Sequence, residues 1–192
     1  ERLTPGRVEA LRGREIVLVP QGVTYLDPLM KVGPQIRRGK RSPEARAKSR
    51  SVLERYGLGA ETEELYPFEL SGGMARRVLI STAVMETPRL VIADEPTPGL
   101  DARAAGRILG HFREIADAGA GMLLITHDLE LALTIADRVV VFYAGETVEE
   151  ADAADFAAGR LRHPYTRALW RALPQNGFMP IPGAQPYPGE IA

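Results

Sequence analysis

The chain has 192 residues, 45% hydrophobic and 26% charged, enough for one domain with a real core or for one core plus an appendage. Its 24 basic and 25 acidic residues leave a formal net charge of -1, which gives no reason to expect nucleic acid or an anionic membrane as partner. Cysteine is absent, which excludes disulfides, thiolate metal sites and cysteine-held iron–sulfur clusters, and no two of His111, His127 and His163 stand at metal-ligand spacing.

The first predicted element is a short buried strand over Glu15 to Pro20, ending at Gln21-Gly22. Ser42-Pro43-Glu44 marks a helix start: a hydroxyl cap, proline at the first position and an acid near the positive dipole end. That helix is expected to reach about Tyr56 and stop at Gly57. Helical periodicity follows from Ser71 to about Met85, with apolar residues at Met74, Val78, Leu79, Ala83 and Val84. Leu90 to Ala93 reads as a buried parallel strand running into two acids. Residues 102–118 read as helix, 122–126 as a buried strand, 129–136 as helix, and 138–149 as a hairpin turning at Ala144-Gly145. Strands alternating with helices predict a largely parallel α/β sheet. Beyond Asp152 a single helix is expected at 164–173, followed by irregular chain from Pro174 to Gly189. No apolar run approaches the ~20 residues needed to cross a bilayer, and Glu1 to Pro5 shows no signal-peptide core, so a soluble protein is expected that meets a membrane only through a partner.

Five clusters carry chemistry. Asp94 and Glu95 end a hydrophobic strand, at the sheet edge where open α/β folds bind ligands. One carboxylate suits Mg²⁺, which takes oxygen ligands and keeps several waters, while its neighbour can orient or deprotonate a water. Taken alone, the pair is equally a solvated acidic turn. Ser71-Gly72-Gly73 opens a helix, where small residues and free N–H groups favour an anion, or where the serine is simply a cap. His127 follows a strand and can reach a phosphate placed there, or serve as a structural hydrogen-bonder. Gln21 ends a strand with an amide that can touch a metal or a water. Asp101 is a candidate cap for the helix over 102–118, and both readings can hold together.

The order of these clusters resembles the ABC ATPase family, from the first strand to about residue 152. The resemblance implies a P-loop NTPase-like (RecA-like) fold: a mainly parallel sheet with a helical subdomain, incomplete at the N-terminus, plus a C-terminal extension. By matching motifs, Gln21 takes the place of the Q-loop glutamine, Leu70 to Met74 the signature, Asp94 and Glu95 the Walker B aspartate and catalytic glutamate, Asp101 the D-loop aspartate, and His127 the switch histidine. The implied division is core remnant 1–28, helical subdomain 29–88, core 89–152 and extension 153–192. ATP and Mg²⁺ are the implied cofactors, with Asp94 and Gln21 at the metal, Glu95, His127 and Gln21 catalytic, and Ser71, Gly72, Gly73 and Asp101 contacting nucleotide.

Two departures stand out. Arg76-Arg77 occupies a place where family members often carry Gln-Arg. More seriously, the sequence has no G-x-x-x-x-G-K-[ST]. Gly33 to Arg41 comes nearest, but five residues separate its glycines, Arg41 replaces the hydroxyl, and it follows Gln21 rather than preceding it. The sequence reading therefore expects an N-terminal truncation that removes the P-loop, with no hydrolysis by the chain as given.

Leu26-Asp27-Pro28-Leu29-Met30, Tyr143-Ala144-Gly145-Glu146, His163-Pro164-Tyr165-Thr166-Arg167-Ala168-Leu169 and Pro180-Ile181-Pro182-Gly183 resemble the oligopeptide, dipeptide and nickel importer ATPases. Leu65 to Glu69 and Ala172 to Phe178 lean toward the nickel or metallophore branch. The resemblance implies a head-to-tail pair with a second, paralogous ATPase subunit, membrane permease partners, a substrate-binding protein acting indirectly, no nucleic acid, and a peripheral place on the cytoplasmic face of the cell membrane. Two alternatives stay open: a non-catalytic fragment or degenerate subunit, and a non-transport member of the superfamily.

Overall fold

The structure is a computed structural model, and it describes residues 4–181. In chain order the elements are α1 (Pro5–Leu11), β1 (Ile16–Val19), α2 (Val32–Ile36), α3 (Pro43–Arg55), α4 (Gly72–Val84), β2 (Leu90–Asp94), α5 (Ala102–Asp117), β3 (Gly121–Ile125), α6 (Leu129–Leu133), β4 (Arg138–Tyr143), β5 (Glu146–Asp152), α7 (Ala153–Ala157) and α8 (Pro164–Arg171). The chain divides into two compact units, Glu1–His127 and Asp128–Ala192.

In the first unit β1, β2 and β3 form a parallel sheet in the order β1-β2-β3. The register pairs Val19 with Ala93, Ala93 with Leu124, and Asp94 with Ile125, so the C-terminal ends of all three strands share one edge. Val17, Val19, Val91 and Ala93 are buried, with α4 packed on β1 and α5 on β3. The strands were expected to be buried throughout, and here the structure differs. Leu18, Leu123 and Ile125 are 53%, 50% and 47% exposed, because among the described residues the helices cover one face of the sheet.

Helix caps account for the boundaries. Ser42 accepts from the Ala45 N–H, Pro43 takes the first helical position, and Gly57 follows with φ of 71°. α4 is capped by Ser71 and α5 by Asp101. Leu26, Val32, Ile36, Leu53, Leu58, Val78 and Leu79 make one buried cluster that joins α2, α3 and α4 to the segment after β1. Truncating a core leucine such as Leu53 to alanine is expected to cost about 2–5 kcal/mol. The Tyr56 hydroxyl meets His111 Nδ1 at 2.6 Å, tying the end of α3 to α5. Burial pushes the Tyr56 hydroxyl up and the His111 imidazole down, so both are held neutral.

The second unit holds the β4–β5 hairpin, turning at Ala144 and Gly145 with φ of 48° and 89°. Val141, Phe156 and Leu161 form its core, with Tyr165, Leu169 and Trp170 packed against it. Strand β5 runs to Asp152, three residues beyond the expected end, because Arg138 and Val139 still pair with Asp152 and Ala151. α6 stops at Leu133 rather than 136, its last turn tightened by Thr134 N–H and Ile135 N–H bonds to the carbonyls three residues back. Pro174–Asn176 is a 3-10 turn inside the stretch expected to be irregular, and the expected stretch beyond residue 181, including Pro182-Gly183, lies outside the described residues.

Glu149 ties the hairpin to α8. Its Oε1 accepts from the Arg162 N–H at 2.7 Å and its Oε2 from the His163 N–H at 2.9 Å, at the start of the helix. Burial pushes this carboxyl up, but the two backbone N–H groups, together with the neighbouring Thr166 and His163 side chains, hold the pKa below the ordinary value. A folded value below the unfolded one stabilises the fold above the unfolded pKa of about 4.3, and the gain is lost as pH falls through the folded value. Glu149→Ala is expected to cost about 1–2 kcal/mol, in the range of a lost helix cap. Hydrogen exchange should show faster exchange in α8 at neutral pH, and the wild-type advantage should vanish in acid.

Candidate functional site

The shared edge of the sheet gathers four of the sequence-predicted residues. Gln21 leaves the end of β1, exposed to solvent, and Asp94 ends β2, half-buried. Glu95 follows, its N–H still paired to the Ile125 carbonyl at 2.9 Å, and His127 stands two residues past β3.

Glu95 is held on both of its carboxylate oxygens. Its Oε1 accepts from the His127 N–H at 2.9 Å and lies 2.7 Å from His127 Nδ1, while Oε2 accepts from the Thr126 hydroxyl at 3.1 Å. Its side chain is 14% exposed against 82% for His127, so the carboxylate is sheltered and the imidazole is open to a ligand. Burial pushes the Glu95 carboxyl up, yet the side-chain and backbone bonds from His127 and the one from Thr126 prevail and hold it below its ordinary value. Glu95 also has φ of 45°, a left-handed backbone that costs a non-glycine residue about 1–3 kcal/mol. Strain of this kind persists where the surroundings over-determine it, and here the strand pairing and three acceptor contacts do so.

A second group lies at the starts of α4 and α5. Ser71 Oγ accepts from the Met74 N–H at 3.3 Å, and Asp101 Oδ1 from the Ala104 N–H at 2.8 Å. Both are therefore caps, as their simplest sequence reading had it, and each remains exposed. The backbone N–H of Ala104 lowers the Asp101 pKa, helped by the charges of Arg107 and Arg77. The two glycines differ. A Cβ at Gly73 would stand 3.4 Å from the Gly99 carbonyl, whereas one at Gly72 would meet nothing within 4 Å. A side chain at 73 would thus lie in contact with the Gly99-Leu100 turn, while one at 72 would begin in open space among the described residues.

As for a metal, no cluster of three or more His, Cys, Asp or Glu occurs among the described residues. Mg²⁺ does not require one, since it commonly binds one or two carboxylates and completes its shell with water and phosphate. The Asp94 carboxylate and the Gln21 amide oxygen are a donor set of the right chemistry.

Sequence reasoning assigned no role to two further residues. Thr126 holds Glu95 Oε2, and its position between a strand end and His127 was the available signal. Arg76, buried on α4, donates from Nη1 to the Pro20 carbonyl at 3.1 Å. Only its presence in place of a glutamine marked it beforehand.

A parallel sheet whose three strands deliver Gln, Asp-Glu and Thr-His to one edge, with a glycine-led helix alongside, defines an ATP-binding-cassette fold. In the solved structures, a dimeric ATP-binding cassette in a post-hydrolysis state bound to ADP and Pi aligns with TM-score 0.71 and 26% identity, over 79% of this chain and 68% of that one. The ATP-binding subunit of an ABC transporter aligns with TM-score 0.67 and 26% identity, over 76% and 62%. Residues 2–98 match the ABC transporter family. The oligopeptide transport ATP-binding protein OppD of Lactococcus lactis subsp. cremoris (strain SK11) is 37% identical over 203 residues, 98% of this chain and 60% of that protein. The dipeptide transport ATP-binding protein DppD of Escherichia coli (strain K12) is 38% identical over 186 residues, 91% and 56%. The chain belongs to the ABC transporter family, and within it resembles the ATP-binding proteins of peptide transport. It spans 60% or less of the length of these two relatives.

Proposed function

We propose that the chain acts in the ATP-binding and ATP-hydrolysing subunit of an importer for peptides or for nickel and other metal chelates, energising uptake through a membrane permease. The observation that carries this reading is the Glu95 carboxylate, held ionised at the end of β2 by His127 and Thr126. Glu95 is the general base that takes a proton from the attacking water, and Asp94 with Gln21 would hold Mg²⁺, which when bound neutralises phosphate charge. His127, open to solvent, faces the terminal phosphate. Ser71, Gly72, Gly73 and Asp101 complete the nucleotide site of a second, paralogous ATPase subunit packed head to tail. A substrate-binding protein delivers the cargo, and the names of the similar proteins favour peptides over nickel. No helix among the described residues is long and apolar enough to cross a membrane, in keeping with a peripheral place on the cytoplasmic face through a permease. Steady-state ATP hydrolysis by the complete, full-length protein in its assembly, wild type against Glu95→Gln, tests the reading: loss of turnover in the variant supports it, and equal rates overturn it.

The proposed division remains 1–28 and 89–152 for the ATPase core, 29–88 for the helical subdomain and 153–192 for the extension. A non-catalytic role for the chain on its own is the second reading, favoured by the absence of G-x-x-x-x-G-K-[ST] from its sequence. That loop supplies the N–H cradle and the lysine for the β- and γ-phosphates. Isothermal titration of this chain alone with Mg·ATP is expected to give an affinity weaker than micromolar. Micromolar binding would show that the phosphates are held by other means.

A further inference from the structure

Helix α4 carries two successive arginines that reach in different directions. Arg77 turns toward the end of α3: Nη1 donates to the Tyr56 carbonyl at 3.0 Å and the Gly57 carbonyl at 3.3 Å, and Nε to the Gly73 carbonyl at 3.1 Å. Arg76 turns toward the sheet. It is 9% exposed, and its Nη1 donates to the Pro20 carbonyl at 3.1 Å, 56 residues away in sequence. Pro20 immediately precedes Gln21, and Arg76 lies one helical turn beyond Gly72 and Gly73. This single side chain therefore joins the glutamine end of β1 to the helix that the glycines open.

The contact is costly to maintain. Burial disfavours the Arg76 charge, and the negative charge of Glu95 acts in the opposite sense. Replacing a buried ion by an apolar side chain of similar size is often neutral or stabilising, so packing alone gives little reason for an arginine. A guanidinium offers a fixed fork with long reach and a charge-assisted bond to a carbonyl.

We propose that Arg76 is a positioning residue, which fixes the Pro20 carbonyl to α4 and thereby sets where Gln21 stands relative to Glu95 and to the Ser71-Gly72-Gly73 helix start. It acts through Gln21 and does not touch nucleotide. The catalytic half of this proposal rests on the ATPase reading, while the tether itself does not.

The test compares Arg76→Met, Arg76→Lys and Gln21→Ala with wild type. Arg76→Met is expected to keep the thermal midpoint within a few degrees of wild type. Amide exchange at Gln21 and Gly22 should rise while β2 and β3 exchange as before. In the assembly of the full-length protein with its P-loop, kcat should fall about tenfold or more, with KM for Mg·ATP changed by less than about twofold, as expected for lost orientation rather than lost binding. Gln21→Ala added to Arg76→Met should cost no more than about a further twofold, because residues acting as a unit are not additive. Arg76→Lys, which keeps the charge and part of the reach, should recover a large share of kcat.

A broad rise in exchange with a large fall in thermal midpoint would make Arg76 a packing residue and overturn the proposal. Unchanged exchange at Gln21 and Gly22, or unchanged kcat, would overturn it as well. If the wild-type assembly does not hydrolyse ATP, the ATPase reading fails instead, and exchange at Gln21 and Gly22 still decides for or against the tether.

Discussion

If the proposed ATPase function holds, Glu95→Gln in the complete, full-length protein with its P-loop is expected to abolish turnover, by about 10²–10⁴-fold, while nucleotide affinity stays within about twofold of wild type. Glutamine keeps the shape of the side chain and one carbonyl acceptor. It replaces the other oxygen by an NH₂ group, so either the His127 or the Thr126 contact loses its acceptor. The fold should survive, because strand pairing through the Glu95 N–H is unaffected and the φ of 45° costs glutamine about what it costs glutamate. What disappears is basicity at a carboxylate that is both sheltered and anchored at the sheet edge. The pH dependence follows from the same contacts. A carboxyl held below its ordinary value stays ionised from acid through neutral pH, so the base form is lost only as pH falls below about 4.3. An inflection in wild-type kcat between pH 5 and 8 would therefore belong to another group. Phosphate release and equilibrium nucleotide binding, measured on the same preparations, separate the two effects. Near-normal hydrolysis by the variant would remove Glu95 from the base role.

Much of this site was legible because its residues follow strong local signals. Caps and punctuation gave Pro43–Arg55, Gly72–Val84 and Ala102–Asp117 nearly to the residue, since Ser42, Ser71 and Asp101 each accept a backbone N–H at the helix start. Acids and a histidine placed directly after apolar runs gave the sheet edge. The hairpin was legible from Ala144-Gly145, which adopt the positive φ such a tight turn needs.

The misses have physical causes. α1 begins at Thr4-Pro5 with the same cap-and-proline signal as α3, yet seven residues show too little periodicity to announce a helix. α7 is five residues long, has no side-chain cap bond from Asp152, and is held by burial of Phe156, a tertiary effect. One-sided covering of the sheet could not be read from Leu123 and Ile125, because a short apolar run looks the same whether one face or both are buried. Arg76 was visible only as a departure from a pattern, for its partner lies 56 residues away. The same limit hid Glu149, whose bonds to Arg162 and His163 cross from one element to another.

On the proposed head-to-tail reading, in the protein restored to full length with its P-loop and paired with a second ATPase subunit, Ser71→Arg is expected to damage the nucleotide site whose P-loop lies on the partner subunit, and to leave the site at the subunit's own P-loop nearly normal. Gly72 and Gly73 open α4, and the first N–H groups of a helix have no partner within it, so they favour an anion brought close. Gly72 has open space around its missing Cβ, leaving the approach to the helix start clear. An arginine at 71 would stand in that approach, and its bulk outweighs its favourable charge. It also loses the bond from the Met74 N–H to Ser71 Oγ, at a cost of about 0.5–2 kcal/mol. Ser71→Ala loses the same cap without the bulk, so it measures that structural cost separately. Site-resolved nucleotide trapping, with the P-loop lysine of each subunit disabled in turn, reads the two sites apart. Trapping at the partner's P-loop should fall at least tenfold in Ser71→Arg and stay within about threefold of wild type in Ser71→Ala, because cap loss weakens the helix start without blocking it. A loss confined to this subunit's own P-loop would mean that the two subunits do not pack head to tail, and Ser71-Gly72-Gly73 would then be a helix cap alone.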